Sequence, residues 1–353
     1  MRSALCSALL CGVAVHAAAT QERAVTFEEP SPVTVTGFAV GRADYDRVTR
    51  TNTFAAGKVG LSLFKPVGDL YLFAQLTTAL EDGETATEID NLLVSWTPRH
   101  ANRWALVFGR FDAPIGFERD DEPLNLMPTN SFTFSYARPG KLTGVQVHYT
   151  ASPRFDVWAV AANGWDVETD NNRGKTALAR AQWIPIPWVT LGLTGVYGPE
   201  RDSTDGHQRS LLSGDLTIDR GGGRLIVGAE FNLGRELASG GNPTWRGAAA
   251  TAFVRLTPGL GLSARYDQME DTDGLLTGTP QVLRSVTVGP MWYFSSATEG
   301  IFSNIEHTRF HLPQIALRAA VRADRSSTPF FVDANGAPQR TNTTGVLELV
   351  FVF

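Results

Sequence analysis

Apolar residues alternate with polar or small ones at a period of two, in segment after segment from Pro32 to Phe353, and no stretch carries a helical stripe of useful length. In the last segment Leu347, Leu349, Phe351 and Phe353 make one face and Val346, Glu348, Val350 and Val352 the other. Val145, Val147 and Tyr149 likewise alternate with Gly144, Gln146 and His148, and Leu225, Val227, Ala229, Phe231 and Leu233 with Arg224, Ile226, Gly228, Glu230 and Asn232. A soluble sandwich hides its apolar face and wets the other. Here the second face carries charge in many strands, which suits an all-β chain forming a single closed antiparallel barrel, apolar outside and polar in the lumen. In 33–45 and 154–164 the two faces are too alike to assign.

The connections add a second periodicity. Short joints at 65–69, 152–154, 185–188 and 257–261 alternate with long ones at 81–88, 112–140, 165–175, 198–209, 234–243, 270–281 and 325–342. A transmembrane barrel has this asymmetry, with tight periplasmic turns on one rim and longer outer loops on the other. The predicted strands are 33–45, 53–64, 69–80, 88–97, 102–111, 141–150, 154–164, 175–184, 188–198, 209–219, 223–233, 244–256, 260–269, 282–294, 313–324 and 343–353, sixteen in all. A further strand at 301–310 breaks both the alternation and the even count, so 295–312 is expected at the periplasmic rim. Closure is required because lipid offers no partner to an open backbone edge. Sixteen strands enclose an aqueous lumen, not a packed core.

Composition changes this picture little. With 43% hydrophobic residues in 353, disorder is excluded, and a net charge of -5 gives no reason to expect nucleic acid as a partner. The N-terminus matters more. Arg2, the apolar run from Ala4 to Val15 and the small residues Ala17, Ala18 and Ala19 have the form of a secretory signal peptide over 1–19, leaving a barrel of 20–353. Leu10 before Cys11 does not suit a lipidation site. Cleavage after Ala19 removes Cys6 and Cys11, and with them any thiolate metal ligand, cysteine nucleophile or disulfide.

At the fifth strand and beyond, the chain reads FGRFDAPIGFERDDEPLNLMPTNSFTFSYARPGKLTGVQVHY, then AANGWDVETDNNRGKTALARAQW, and it ends TGVLELVFVF. These segments resemble the OmpL-like family of outer-membrane β-barrel porins of Gram-negative bacteria. Gly109, Phe111, Pro114, Gly116 and Glu118 match the family's Gly-basic-Phe-x-x-Pro-x-Gly-x-Glu stretch, with Arg110 where a Lys is frequent. Asn163, Gly164, Trp165 and Asp166 match its Asn-Gly-Trp-Asp turn, and Asn171, Asn172 and Lys175 fit as well. The resemblance implies the cell outer membrane as location, and the terminal Phe353 as the aromatic end that barrel-assembly machinery reads. It names no solute.

The longest internal loop, 112–140, carries Asp112, Glu118, Asp120, Asp121 and Glu122. Folded into the lumen, these carboxylates would form one wall of a constriction. On the barrel wall, alternation places Lys58, Arg110, Arg180, Arg224, Arg265, Arg318 and Arg322 inward, against fewer acids: Asp215, Asp219, Glu230, Asp267 and Glu348. Fixed charge at a narrow point selects ions. The blander alternative is a solvated outer loop with lumen charges that pair with one another. His307 and His311, beside Glu306, have a spacing that would pair two imidazoles only on a helix, and a turn is the simpler role. His148 and His207 lack an accompanying nucleophile motif, so a rim hydrolase is the weaker alternative. Trp96, Trp104, Trp183, Trp188, Trp292 and Tyr293 fall near strand ends, as an interfacial girdle does. The sequence therefore predicts a diffusion channel for small hydrophilic solutes or ions with a mild anion preference, needing no cofactor and no catalytic residue. A non-conducting structural or adhesion barrel is the alternative. Lipid, the assembly machinery and the solutes are its expected partners, and both a monomer and a homotrimer remain open.

Overall fold

The computed structural model describes residues 32–55, 57–81, 84–237, 241–294 and 314–353. The signal segment, residues 295–312 and His307 and His311 lie outside the described residues. The strands are β1 (Thr34–Asp46), β2 (Thr51–Ala55), β3 (Lys58–Val67), β4 (Leu70–Glu81), β5 (Glu84–Trp96), β6 (Trp104–Asp112), β7 (Lys141–Ser152), β8 (Phe155–Ala162) and β9 (Thr176–Ile186). They continue as β10 (Val189–Arg201), β11 (Thr204–Arg220), β12 (Leu225–Leu237), β13 (Thr244–Thr257), β14 (Leu260–Asp271), β15 (Gln281–Tyr293) and β16 (Ile315–Ser326). A small outer hairpin, β17 (Phe331–Val332) and β18 (Pro338–Gln339), precedes the last strand, β19 (Thr341–Val352).

Every pairing is antiparallel, and successive crossings pair with one another until the ring closes. β2 and β3 are two pieces of one crossing, because both pair with the same side of β1, at Arg42–Asp46 and Thr34–Ala39 respectively. The barrel thus has sixteen crossings, as the alternation predicts. β1 and β19 close it, from Phe38 opposite Val352 to Asp46 opposite Thr344. Phe353 completes the seam through reciprocal backbone hydrogen bonds with Gly37, both 2.9 Å. A side chain at Gly37 could not fit there, since its Cβ would lie 2.4 Å from the Gly60 oxygen and 2.7 Å from the Phe353 ring.

Outer connections are shorter than the composition suggests. Polar segments assigned to loops at 81–88 and 198–209 continue as strand, so that β4 and β5, and β10 and β11, rise as hairpins above the membrane level. Backbone hydrogen bonding to a neighbour, not side-chain hydropathy, decides where these strands stop. Leu61, Phe108, Leu193, Phe231, Leu262, Val286, Leu347 and Leu349 face outward and are exposed. Trp96, Trp104, Trp183, Trp188 and Trp292 are exposed near the periplasmic ends of their strands, where an interfacial belt belongs.

The inside departs from a purely polar lumen. Phe38, Phe73, Ile226, Phe253 and Met291 form a buried cluster with Leu124, Leu126 and Met127, while Val107, Phe111, Leu142, Trp245, Met269 and Leu283 form another with Ile115, Phe132 and Ala137. The second members of each set belong to the segment 113–140, which folds inside the barrel. Inner apolar seats for that segment explain why 33–45 and 154–164 look alike on both faces. Inward positions are Thr36, Phe38 and Val40 in the first and Asp156, Trp158, Val160 and Ala162 in the second.

Candidate functional site: a loop held across the lumen

The loop starts and ends at one place. Ala113 N–H donates to the Gly140 carbonyl at 2.8 Å, and the Asp166 carboxylate accepts the backbone N–H groups of Gly140 (2.9 Å) and Lys141 (2.7 Å). Asp166, at φ 54, belongs to the Asn-Gly-Trp-Asp turn; Trp165 N–H donates to Glu200 Oε2 at 2.7 Å. Two motifs separated in sequence therefore meet at the root of the loop.

From this root the chain crosses the lumen and is tied to distant strands. Gly116, at φ +74, brings the backbone against β12, where Phe117 N–H donates to Glu230 Oε2 at 2.9 Å; a Cβ at 116 would lie 2.1 Å from that oxygen. Arg138 pairs with the other Glu230 oxygen at 2.9 Å and donates to the Glu118 carbonyl at 2.7 Å. Glu118 itself accepts from Arg265 Nη1 at 2.6 Å and from the Ser131 N–H at 3.0 Å. Ser131 caps the short helix α1 (Phe132–Tyr136) by accepting the Phe134 N–H at 3.0 Å, while Phe132 N–H donates to Asp267 Oδ2 at 3.1 Å. Trp245 Nε1 donates to the Ala137 carbonyl at 3.0 Å, and Ser263 Oγ to that of Leu126 at 2.9 Å.

The wall arginines do something other than line open water. Arg318 is paired with Glu348 and donates to the carbonyls of Glu122 (3.0 Å) and Asn125 (2.6 Å). Arg322 is paired with Asp324 at 2.6 Å, donates to the Asn130 carbonyl at 2.5 Å and covers the Phe132 ring. Arg265 adds the Thr129 carbonyl to Glu118 and Asp267. Lys58, on the inner face of β3, reaches Glu122 at 3.6 Å. Arg180 holds Asp215 with both nitrogens, at 2.6 and 2.9 Å. Each of these five predicted wall cations is thus inward and matched by a carboxylate.

Two predicted wall cations are elsewhere. Arg110 shares the outward face of Leu106 and Phe108 and stands opposite Leu92, its Nε donating to the Asp90 carbonyl at 3.2 Å. Hydrophobicity misleads here because Val107 and Phe111 are apolar yet point inward, as a seat for the loop. Arg224 has inward parity but precedes β12, exposed in the turn between β11 and β12.

The predicted acidic residues also divide. Asp112 and Asp120, the latter at 3.3 Å, meet the buried ammonium of Lys141, which Asp90 also contacts at 2.7 Å. Asp90 reaches this site through a bulge: Gln75 pairs with Asn91 and Leu76 with Ile89, so Asp90 and Asn91 are both buried. Burial opposes ionisation of Asp120, but Lys141 and Lys58 outweigh it and hold its carboxyl below the usual range. Asp121 makes no ion pair among the described residues, and Lys141 acts on it only at a distance. It accepts from Gln75 Nε2 at 2.8 Å, and burial, reinforced by the nearby Asp112 charge, pushes it up to about 8. Burial likewise raises Glu122, against the pull of Lys58.

Sequence reasoning missed Lys141, Arg119, Arg138 and Asp90. Lys141 and Arg138 flank the loop's end and could have been suspected from the acidic run they must balance; the bulge that delivers Asp90 leaves no trace in the pattern. His148 is buried in the wall, hydrogen-bonded to Asp156 at 3.1 Å and stacked on Trp158. Between the first limb of the loop and the wall of β5–β9 lies a niche of about 60 Å3, bordered by Leu93, Phe111, Ile115, Arg119, Gln146 and Trp158, with Asp112, Arg180 and Gln182 beside them.

A family model described as Putative beta-barrel porin-2, OmpL-like matches residues 73–353. The chain belongs to that family. This OmpL-like barrel also has the fold of solved outer-membrane channels. An anion-selective porin from Comamonas acidovorans superposes with a TM-score of 0.63 at 10% identity, covering 91% of this chain and 99% of its own. The channel DcaP of Acinetobacter baumannii gives 0.63 at 11% identity, over 91% and 97%. OmpT of Vibrio cholerae, in a trimer form, gives 0.61 at 14% identity, over 91% and 99%. No curated protein matches the sequence. The OmpL-like chain is an outer-membrane barrel of porin type.

Proposed function

We propose that this barrel is a passive channel for small hydrophilic solutes or ions, narrowed by the segment 113–140 and mildly anion-preferring. The observation that carries this reading is the loop itself, pinned across the lumen by Lys58, Gln75, Arg265, Arg318 and Arg322 rather than lying over the outer rim. A loop held at fixed depth by charge-assisted bonds sets a fixed aperture, which is what rejection by size and charge requires. Family membership and the porin fold support the same reading. The anion preference rests on Arg119 on the loop, which has no carboxylate within ion-pair distance among the described residues, whereas Arg180, Arg265, Arg318 and Arg322 are all matched by carboxylates. Export through a cleaved 1–19 segment, recognition of Phe353 by the assembly machinery and a monomeric or trimeric state complete the proposal.

The extent of apolar packing between the loop and the wall favours one second reading, a closed structural barrel. Single-channel recording of the refolded chain in a planar bilayer separates the two. Discrete steps whose reversal potential under a salt gradient has the anion sign are expected. A folded barrel that never conducts would leave the closed one, and a cation sign would hand control to the carboxylates around Lys141.

A further inference from the structure

The niche beside Arg119 combines features that a conduit for bare ions does not need. Leu93, Phe111 and Trp158 make part of its lining apolar, Gln146 and Gln182 are neutral polar neighbours, Asp112 and Arg180 are charged but paired with Lys141 and Asp215, and the loop adds Arg119. Arg119 is half-buried, and its Nε is shielded from solvent with no hydrogen-bond partner. Its backbone is fixed on both sides, the N–H donating to Asn125 Oδ1 at 2.9 Å and the carbonyl accepting from Asn125 Nδ2 at 2.6 Å. A rigid backbone thus delivers a guanidinium whose buried Nε donor is not used. Buried donors left open in this way are costly unless a ligand or water satisfies them. The niche has room for about four water-sized spheres. That suits one carboxylate with a small apolar body, part of which can extend out of the niche.

We infer that the Arg119 niche is a binding subsite for small organic monocarboxylates with an apolar body, the carboxylate on the Arg119 guanidinium and the apolar part against Phe111 and Trp158. Planar bidentate pairing is what a guanidinium offers a carboxylate and cannot offer a halide. The apolar wall favours an aromatic acid over acetate. The subsite deepens the channel reading above but does not need conduction to be detected.

The test uses 4-fluorobenzoate with the full mature chain in detergent, read by broadening of the ligand's fluorine NMR line, and benzoate added to the planar bilayer. Fluorobenzoate is expected to broaden, 4-fluorobenzyl alcohol to remain sharp, and benzoate to interrupt the current at millimolar concentration. Arg119→Gln should weaken binding about tenfold or more, the effect of one charge-assisted contact, and Arg119→Lys should retain part of it. The Arg119 charge acts on Asp215 only at a distance, and heat-modifiable gel migration checks that each variant has folded. Equal broadening by acid and alcohol, or an unchanged response in Arg119→Gln, overturns the subsite. Fluorobenzoate binding without any conductance keeps the subsite and removes the channel; conductance with no response to benzoate does the reverse.

Discussion

Asp121 is the residue whose chemistry is most exposed to pH. Its folded-state value of about 8 lies above the roughly 3.9 of an unfolded aspartate, so between those pH values the folded protein keeps a proton that the unfolded chain has lost. Stability conferred by the docked loop is therefore full at acid pH and is lost as pH rises towards 8, by at most about 1.4 kcal/mol per pH unit. Limited proteolysis of the loop at pH 6 and pH 9 should show it loosening at the higher value. In Asp121→Asn, which keeps the contact to Gln75 without the charge, that difference should vanish. Arg265 acts oppositely. It is buried against Glu118 and Asp267, and Arg265→Ala leaves two carboxylates without their cation, a loss of about 3–5 kcal/mol that a urea unfolding curve would register. Adding Glu118→Gln should restore part of the loss; an additive double mutant would show that the two are not coupled.

At the scale of elements, the loop is a structure of its own, organised by a root and a series of far anchors. Asp166→Ala removes the acceptor for the Gly140 and Lys141 N–H groups and should cost about 2 kcal/mol of docking, visible as faster cleavage within 113–140 while the barrel itself remains protease-resistant. Unchanged cleavage would mean that the far anchors suffice. Much of this was legible in the chain: the loop's length, its acids, the glycines at 109 and 116 and the Asn-Gly-Trp-Asp turn all stand out. Its anchors were less so. Val107 and Phe111 are apolar and inward, which reverses the apolar-out rule and sent Arg110 to the wrong face. Asp90 depends on a bulge, and a one-residue insertion is invisible to a count of alternating positions. Arg265, Arg318 and Arg322 were placed correctly by parity, but nothing in their own strands tells that their partners are carbonyl groups of a remote segment.

For the whole molecule, period-two alternation sufficed for the number of crossings and for closure, because lipid permits few other arrangements of so many strands. Strand ends were harder, since polar residues above the membrane continue to pair, as in β10 and β11. Closure depends on the contact of Gly37 with Phe353. Gly37→Val would push a side chain into the Gly60 carbonyl and the Phe353 ring, so the folded, heat-modifiable species should fall sharply in yield; a normal yield would show that the seam tolerates a shift.

The ties from the loop to β3, β4 and β12–β16 have a mechanical meaning too. An empty tube flattens easily under sideways load, whereas one with a bar fixed between opposite walls does not. The segment 113–140 is such a bar, joined to the wall by bonds that resist both stretching and compression. Lateral pressure in the membrane then falls on a braced ring, whose width is expected to depend little on whether the surrounding lipid is packed tightly or loosely.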